Sequence, residues 1–262
     1  MIETDVLAGK YLYGIIRCAD ARAIAARGIH EQGARVYTIP YRGLAAVVSD
    51  SPCEEYDNSR RNMMAHTRVL EVVMQQYTVL PICLGVVAPD AETIQEQLLA
   101  QRYADLEQQI SDLDGRIELG LKAFWFDERM FQEIADQQPM ICALRDSIAG
   151  RPPENTYYER IRLGDMVEAA VTQRRQFDGE QILSSLRPLS RALVTHPVLT
   201  DQMVMNVSFL VDRFDEARFD QAVRDLDDRF GSQMTFTYVG PVPPYNFVSL
   251  AVHWSYSTQR NA

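Results

Sequence analysis

The chain has 262 residues, of which 47% are hydrophobic, enough to bury one large core or two smaller ones, so wholesale disorder is excluded. Its net charge is −10 and its sequence pI about 4.9. No Lys/Arg run exceeds two residues (Arg60–Arg61, Arg174–Arg175), which argues against nucleic acid and anionic lipid as partners, since both call for a basic face.

The four cysteines, at 18, 53, 83 and 142, lack the two-residue spacing of a zinc ribbon or redox dithiol. The N-terminus has no basic stretch leading into an apolar core, and no apolar run reaches the roughly 18 residues that span a bilayer. A soluble, cytosolic protein with reduced thiols is the expectation.

Tyr11–Arg17 is β-branched and aromatic and reads as a strand. Ala34–Ile39 and Leu44–Ser49 read as two more, joined through Pro40–Gly43 as a hairpin. Ser59 caps a helix reaching Tyr77, with Met63, His66, Leu70, Val73, Met74 and Tyr77 on one face. Pro81–Val87 is short and extended. Pro89-Asp90 then opens a long helix with Ile94, Leu98, Leu106, Ile110 and Leu113 inward. These elements form a first α+β domain over residues 1–114.

Arg116–Phe126 alternates Ile117, Leu119, Leu121, Ala123 and Trp125 with Glu118, Gly120, Lys122 and Phe124, the pattern of a half-buried strand. Helical sequence begins at Asp127, breaks at Pro139 and stops at Gly150 and Pro152-Pro153. Another helix is expected over Asn155–Gln176, and a shorter one capped by Asp178 and ending at Pro188. Arg187–Asp201 has room for an edge strand, and Met203–Val211 reads as a strand. Asp215–Phe230 is the clearest helix, with Phe219, Ala222, Val223, Leu226 and Phe230 as its stripe and Gly231 at its end. Met234–Val239 closes the series. The fold class is therefore α+β in two domains. The second, over 115–243, is ferredoxin-like, with extra helices inserted after its first helix.

Residues 237–250 read T-Y-V-G-P-V-P-P-Y-N-F-V-S-L. Proline donates no backbone hydrogen bond, and Gly240 reaches angles that other residues avoid, so a strand should stop at a stiff elbow there. The elbow, with Pro241, Pro243 and Pro244, would aim Tyr245, Phe247 and Trp254 of a 244–262 tail onto a surface. Packing of this tail between the domains is favoured over a tail kept for a partner, because exposed aromatics are sticky.

Chemical motifs are sparse. The histidines at 30, 66, 196 and 253 are isolated; His66, on an apolar stripe, is more simply a core histidine than a base or ligand. Gly115–Lys122 lacks the ending of a phosphate loop, and neither a dinucleotide fingerprint nor a nucleophile elbow occurs. Asp225, Asp227 and Asp228 beside Arg218, Arg224 and Arg229 read as a solvated face with pairs Asp220–Arg224 and Asp225–Arg229, not a metal site. Cys83 reads as a small core residue. No cofactor, no metal and no enzymatic activity are expected.

Several stretches together resemble the gas vesicle GvpF/GvpL family. They are Y-L-Y-G-I-I at 11–16, I-P-Y-R-G-L-A-A-V-V-S at 39–49, H-T-R-V-L-E-V-V-M at 66–74 and T-V-L-P at 78–81. E-L-G-L-K-A-F-W at 118–125, F-L-V-D-R at 209–213 and G-P-V-P-P-Y-N-F-V at 240–248 follow in the family's order. After T-V-L-P the family often continues with an Arg-Phe-Gly segment, where this chain has Ile82, Cys83, Leu84 and Gly85. The resemblance implies a minor structural or assembly protein of gas vesicles, in the cytoplasm during assembly. Its partner would be the hydrophobic shell protein, with other gas vesicle proteins, and its task would be to limit shell-protein aggregation. A ferredoxin-like oligomeric or small-ligand regulatory module stays open beside this reading.

Overall fold

A computed structural model describes residues 8–30, 34–126, 129–252 and 254. Two compact units divide the chain: Met1–Glu118 together with Pro241–Ala262, and Leu119–Gly240.

In the first unit, β1 (Ala8–Arg17), β2 (Ala23–Arg27), β3 (Arg35–Tyr41), β4 (Leu44–Pro52), β5 (Val79–Pro81) and β6 (Val87–Ala88) form one sheet. Its order is β2-β3-β4-β1-β5, and β6 also pairs with β1. The β3–β4 hairpin closes at Tyr41 opposite Leu44, with Arg42 at φ 53° in the two-residue turn. The β1–β4 register slips between Leu12 and Gly14. A Cβ at Gly14 would lie 2.8 Å from the Leu80 carbonyl oxygen, so β5 can pair this closely only beside a glycine.

Helices cover both faces of this sheet. Helix α1 (Arg60–Val73) starts where the Ser59 hydroxyl accepts from the Asn62 N–H at 3.3 Å. It buries His66, Val69, Leu70 and Val73 against Tyr11, Tyr13, Val36, Ala45 and Val47. Asp90 caps α2 (Ala91–Thr93), which passes into a π-helical stretch, Ile94–Ala100, and then α3 (Tyr103–Leu113). Their buried residues include Ile94, Leu98, Leu106 and Ile110, and they pack on β1, β3, β4 and β5. Leu44–Ser49 is consequently buried at every position, which explains a continuous apolar run in place of alternation. Strand β2 escapes a sequence reading because A-I-A-A-R holds one large apolar residue.

The second unit runs β7 (Arg116–Trp125), α4 (Arg129–Asp136), α5 (Pro139–Ile148), α6 (Tyr157–Leu186), β8 (Ala192–Thr195), β9 (Met203–Asp212), α7 (Glu216–Phe230) and β10 (Met234–Val242). Its sheet order is β10-β7-β9-β8, and the succession β-α-β-β-α-β is ferredoxin-like. The alternation expected in β7 holds for the five residues read as inward, Ile117, Leu119, Leu121, Ala123 and Trp125, all buried. The expected helix start at Asp127 lies outside the described residues.

Three readings of the second unit are corrected. The two helices expected over 155–188 are one helix of 30 residues, and Asp178 is not a cap. It sits inside α6 with its side chain 3% exposed, accepting from Trp125 Nε1 at 3.0 Å and from Arg174 Nε at 2.9 Å. The carboxylate tolerates burial because both partners donate to it. The extra helices α4 and α5 precede, and do not follow, the helix that packs on the sheet through its C-terminal half. On α7 the expected ion pairs are replaced: Asp220 accepts from Tyr238 at 2.6 Å, Asp225 from Gln221 at 2.7 Å, and Arg229 donates to Gln181 at 2.7 Å.

Asp178→Ala removes a buried acceptor from two donors and should cost roughly 3 kcal/mol in urea unfolding. Asp178→Asn, which retains one acceptor oxygen, should cost clearly less.

Candidate functional site: the docked C-terminal segment

The strand leading to the proline-rich stretch does not stop at Val239. β10 continues through Gly240, at φ 145°, and Pro241 to Val242. β10 is an edge strand, where a proline leaves no ladder bond unmade. The turn comes later. Pro243 and Pro244 are buried, and the short 3-10 segment Tyr245–Phe247 follows. Its bonds are Tyr245 N–H to the Pro243 carbonyl at 2.7 Å and Phe247 N–H to the Pro244 carbonyl at 3.1 Å.

This segment docks on first-unit residues. The backbone N–H of Asn246 donates to Glu118 Oε2 at 3.0 Å, and its side-chain Nδ2 to Glu118 Oε1 at 2.5 Å. Glu118 is 3% exposed. A carboxyl group so far from water needs hydrogen-bond donors, and Asn246 supplies two. Tyr245, 37% exposed, reaches Thr67, and the partial burial of its hydroxyl pushes it up to about 12, against the opposing effect of the Thr67 hydrogen bond. Leu250 is buried, and Arg102 donates to the Ala251 carbonyl at 3.0 Å. Phe247 and Trp254 are half-buried. The sequence marks Tyr245 and its neighbours as docking residues but gives no hint of Glu118, which sits at a polar position of an alternating strand.

Beneath α1 lies a cluster of rings. Tyr11 is centred 4.9 Å from Tyr13, 5.0 Å from Tyr56 and 5.7 Å from His66. The Tyr11 hydroxyl accepts from the Gly85 N–H at 3.0 Å and lies 2.9 Å from His66 Nδ1. The Tyr13 hydroxyl accepts from the Ile29 N–H at 2.8 Å and meets Ser49 Oγ at 2.9 Å. His66 Nε2 is buried with no hydrogen-bond partner, although the Ile82 backbone lies near enough to oppose the shift in its pKa. Burial lowers His66 to about 4 and raises Tyr11 well above its ordinary value. So weak a base, 3% exposed, has neither the basicity nor the access for acid–base work near neutral pH. His66 is a core residue.

Cys83 is exposed, correcting its placement in the core: it follows Ile82, which takes the buried position. Among the described residues, no group of three or more His, Cys, Asp or Glu could hold a metal ion. No helix of the described residues is long and apolar enough to cross a membrane.

Two outcomes follow from this geometry. Asn246→Ala should cost about 2 kcal/mol in denaturant unfolding, and the cost should shrink by at least about 1 kcal/mol in a Glu118→Ala background, because the same bond is lost in both. His66 titrates at 6.5 unfolded and about 4 folded, so the unfolded chain takes up the proton first. Its contribution to stability is intact above 6.5, drains by up to roughly 3 kcal/mol as pH falls toward 4, and changes no further below that. His66→Gln should flatten that part of the stability–pH curve.

Residues 9–249 match the family described as gas vesicle synthesis protein GvpL/GvpF. Gas vesicle protein F of Nostoc sp. is 29% identical over 93% of this chain and 99% of its own length. That of Streptomyces sp. is 30% identical over 91% of this chain and 98% of its own. The crystal structure of GvpF from Anabaena sp. matches with a TM-score of 0.84 at 28% identity, covering 94% of this chain and 100% of that one. GvpF from Microcystis aeruginosa matches at 0.78 and 27%, covering 93% and 100%. The chain belongs to the GvpL/GvpF family of gas vesicle proteins.

Proposed function

We propose that the chain is an assembly protein of gas vesicles that contacts the hydrophobic shell protein and keeps it from aggregating before it joins the wall. It works in the cytoplasm during assembly and at the vesicle. The observation that carries this reading is that each sheet ends on an edge strand with no further partner among the described residues, β2 in one and β8 in the other. An aggregating subunit is held soluble by covering its apolar surface or pairing its strand edges, and an open edge does the second. Val198 and Leu199, exposed just beyond β8, add apolar surface there. The net charge of −10 keeps such a complex dispersed. The proline-bounded tail, including Pro241, Pro243, Pro244, Tyr245, Phe247 and Trp254, serves in this reading as an internal docking element, not as the partner-binding arm.

Buoyancy-purified vesicles and cytosol from a producing cell, both probed with an antibody to this chain, test the reading. The chain should be found on vesicles or in cytosolic complexes with free shell protein. Its absence from both would overturn the proposal.

A further inference from the structure

The edge of β2 is more than an open ladder. Two cavities of about 460 and 250 Å³ lie end to end between β2 and α1, sharing Ala25 and Val72. One runs from Ala25 to His30 against Arg61–Val72, the other from Arg22 to Ala25 against Val72–Tyr77. They form one groove, with β2 and α1 running in opposite directions along it. On α1, Arg61, Ala65, Arg68 and Val72 recur at intervals of four, three and four, which places them on one stripe. From Arg61 to Val72 the helix rises about 17 Å, and the five residues of β2 extend about 17 Å. Floor and wall are matched over the length of a five-residue strand.

The groove has backbone groups to offer. Arg22 turns both its N–H and its carbonyl toward Thr38, bonding Oγ1 at 2.8 Å and the N–H at 2.9 Å. Alternation along an antiparallel ladder then turns the N–H and carbonyl of Ala23 outward into the groove, and the register slips between Ile24 and Arg27, which leaves Ala25 without a register partner on β3. The side chains at these positions are small, so another backbone can come close.

Its charge is opposite to that of the chain as a whole. Arg22, Arg27, Arg61 and Arg68 line it, on a chain of net charge −10, and acids enter only past its His30 end, where an adjoining cavity that shares Ile29, His30 and Arg61 is lined by Glu54, Glu55 and Asp57. Arg22 is paired with Asp20 at 3.1 Å, and Arg27 and Arg68 are the cations along the middle of the β2–α1 wall. Between them Ala65, Val69 and Val72 are apolar.

We infer that this groove binds an extended polypeptide segment that adds to the sheet as a strand beside β2, with carboxylate side chains on the face turned to α1. Backbone bonds to Ala23 and Ala25 hold its main chain, Arg27 and Arg68 select its charge, and the alanine and valine wall takes its apolar residues. The inference rests on the reading above only in taking that segment to belong to a gas vesicle component.

The probe is a fluorescein-labelled, end-capped seven-residue peptide alternating Thr and Glu, measured by anisotropy on the full chain. Its controls are the Thr/Lys counterpart and a Thr/Glu peptide N-methylated at every second amide. The Thr/Glu peptide should bind at least tenfold tighter than either control and slow hydrogen exchange at the Ala23 and Ala25 amides. Arg27→Glu with Arg68→Glu should reverse the charge preference while leaving the melting temperature within a few degrees. Equal binding of the Glu and Lys peptides, binding without protection at Ala23 and Ala25, or an unchanged preference in the double variant would each overturn the inference. The two readings fail separately. If Ala25→Pro abolishes peptide binding yet the chain still captures shell protein, the groove stands and shell capture uses another surface. If the Thr/Glu peptide does not bind, the groove falls whatever the chain does to shell protein.

Discussion

A carboxylate buried to 3% exposure needs donors, and Glu118 takes its two from Asn246, 128 residues further along the chain. That bond makes the first unit discontinuous. The chain completes the second unit's last strand and must then return to finish the first. Buried Pro243 and Pro244 make the return stiff, so less entropy is lost when Tyr245–Phe247 docks. During synthesis the first unit is therefore incomplete until nearly the whole chain has been made. Of the tail's aromatic residues, Phe247 and Trp254 are half-buried and Tyr245 is 37% exposed.

The first sheet is covered unevenly. Its centre is closed on both faces: β1 and β4 are covered by α1 on one and by the π-helical stretch and α3 on the other. The Tyr11, Tyr13 and His66 cluster belongs to that closed interior, where the two tyrosine hydroxyls satisfy the Gly85 and Ile29 backbone N–H groups and His66 Nδ1 meets Tyr11. Away from the centre the sheet thins to β2, short and alanine-rich, where α1 presents arginines in place of its buried stripe. The same helix thus seals the core with His66, Val69, Leu70 and Val73 and walls an open groove with Arg61 and Arg68.

Most of the fold was legible in the amino-acid sequence because periodicity and punctuation agree. Ser59 and Asp90 cap as their chemistry demands, the β7 apolar residues alternate, and the α7 stripe ends at Gly231. What escaped has physical causes. Asp178 looks like a cap because aspartate usually is one, and only a tertiary partner, Trp125 from β7, lets it sit inside a helix. β2 escaped because alanines carry almost no pattern. Pro241 looks like a stop, but at a sheet edge proline costs no bond. Glu118 could not be picked out, since a buried acid and an exposed one look alike until the donor is seen.

The central claim, that the chain shields the shell protein from aggregation, is tested most directly by light scattering. Shell protein would be diluted out of denaturant with and without an equimolar amount of this chain. The account predicts a long delay or loss of scattering, with a soluble complex of both chains recovered by size exclusion. Scattering that rises at the same rate with or without the chain would contradict it.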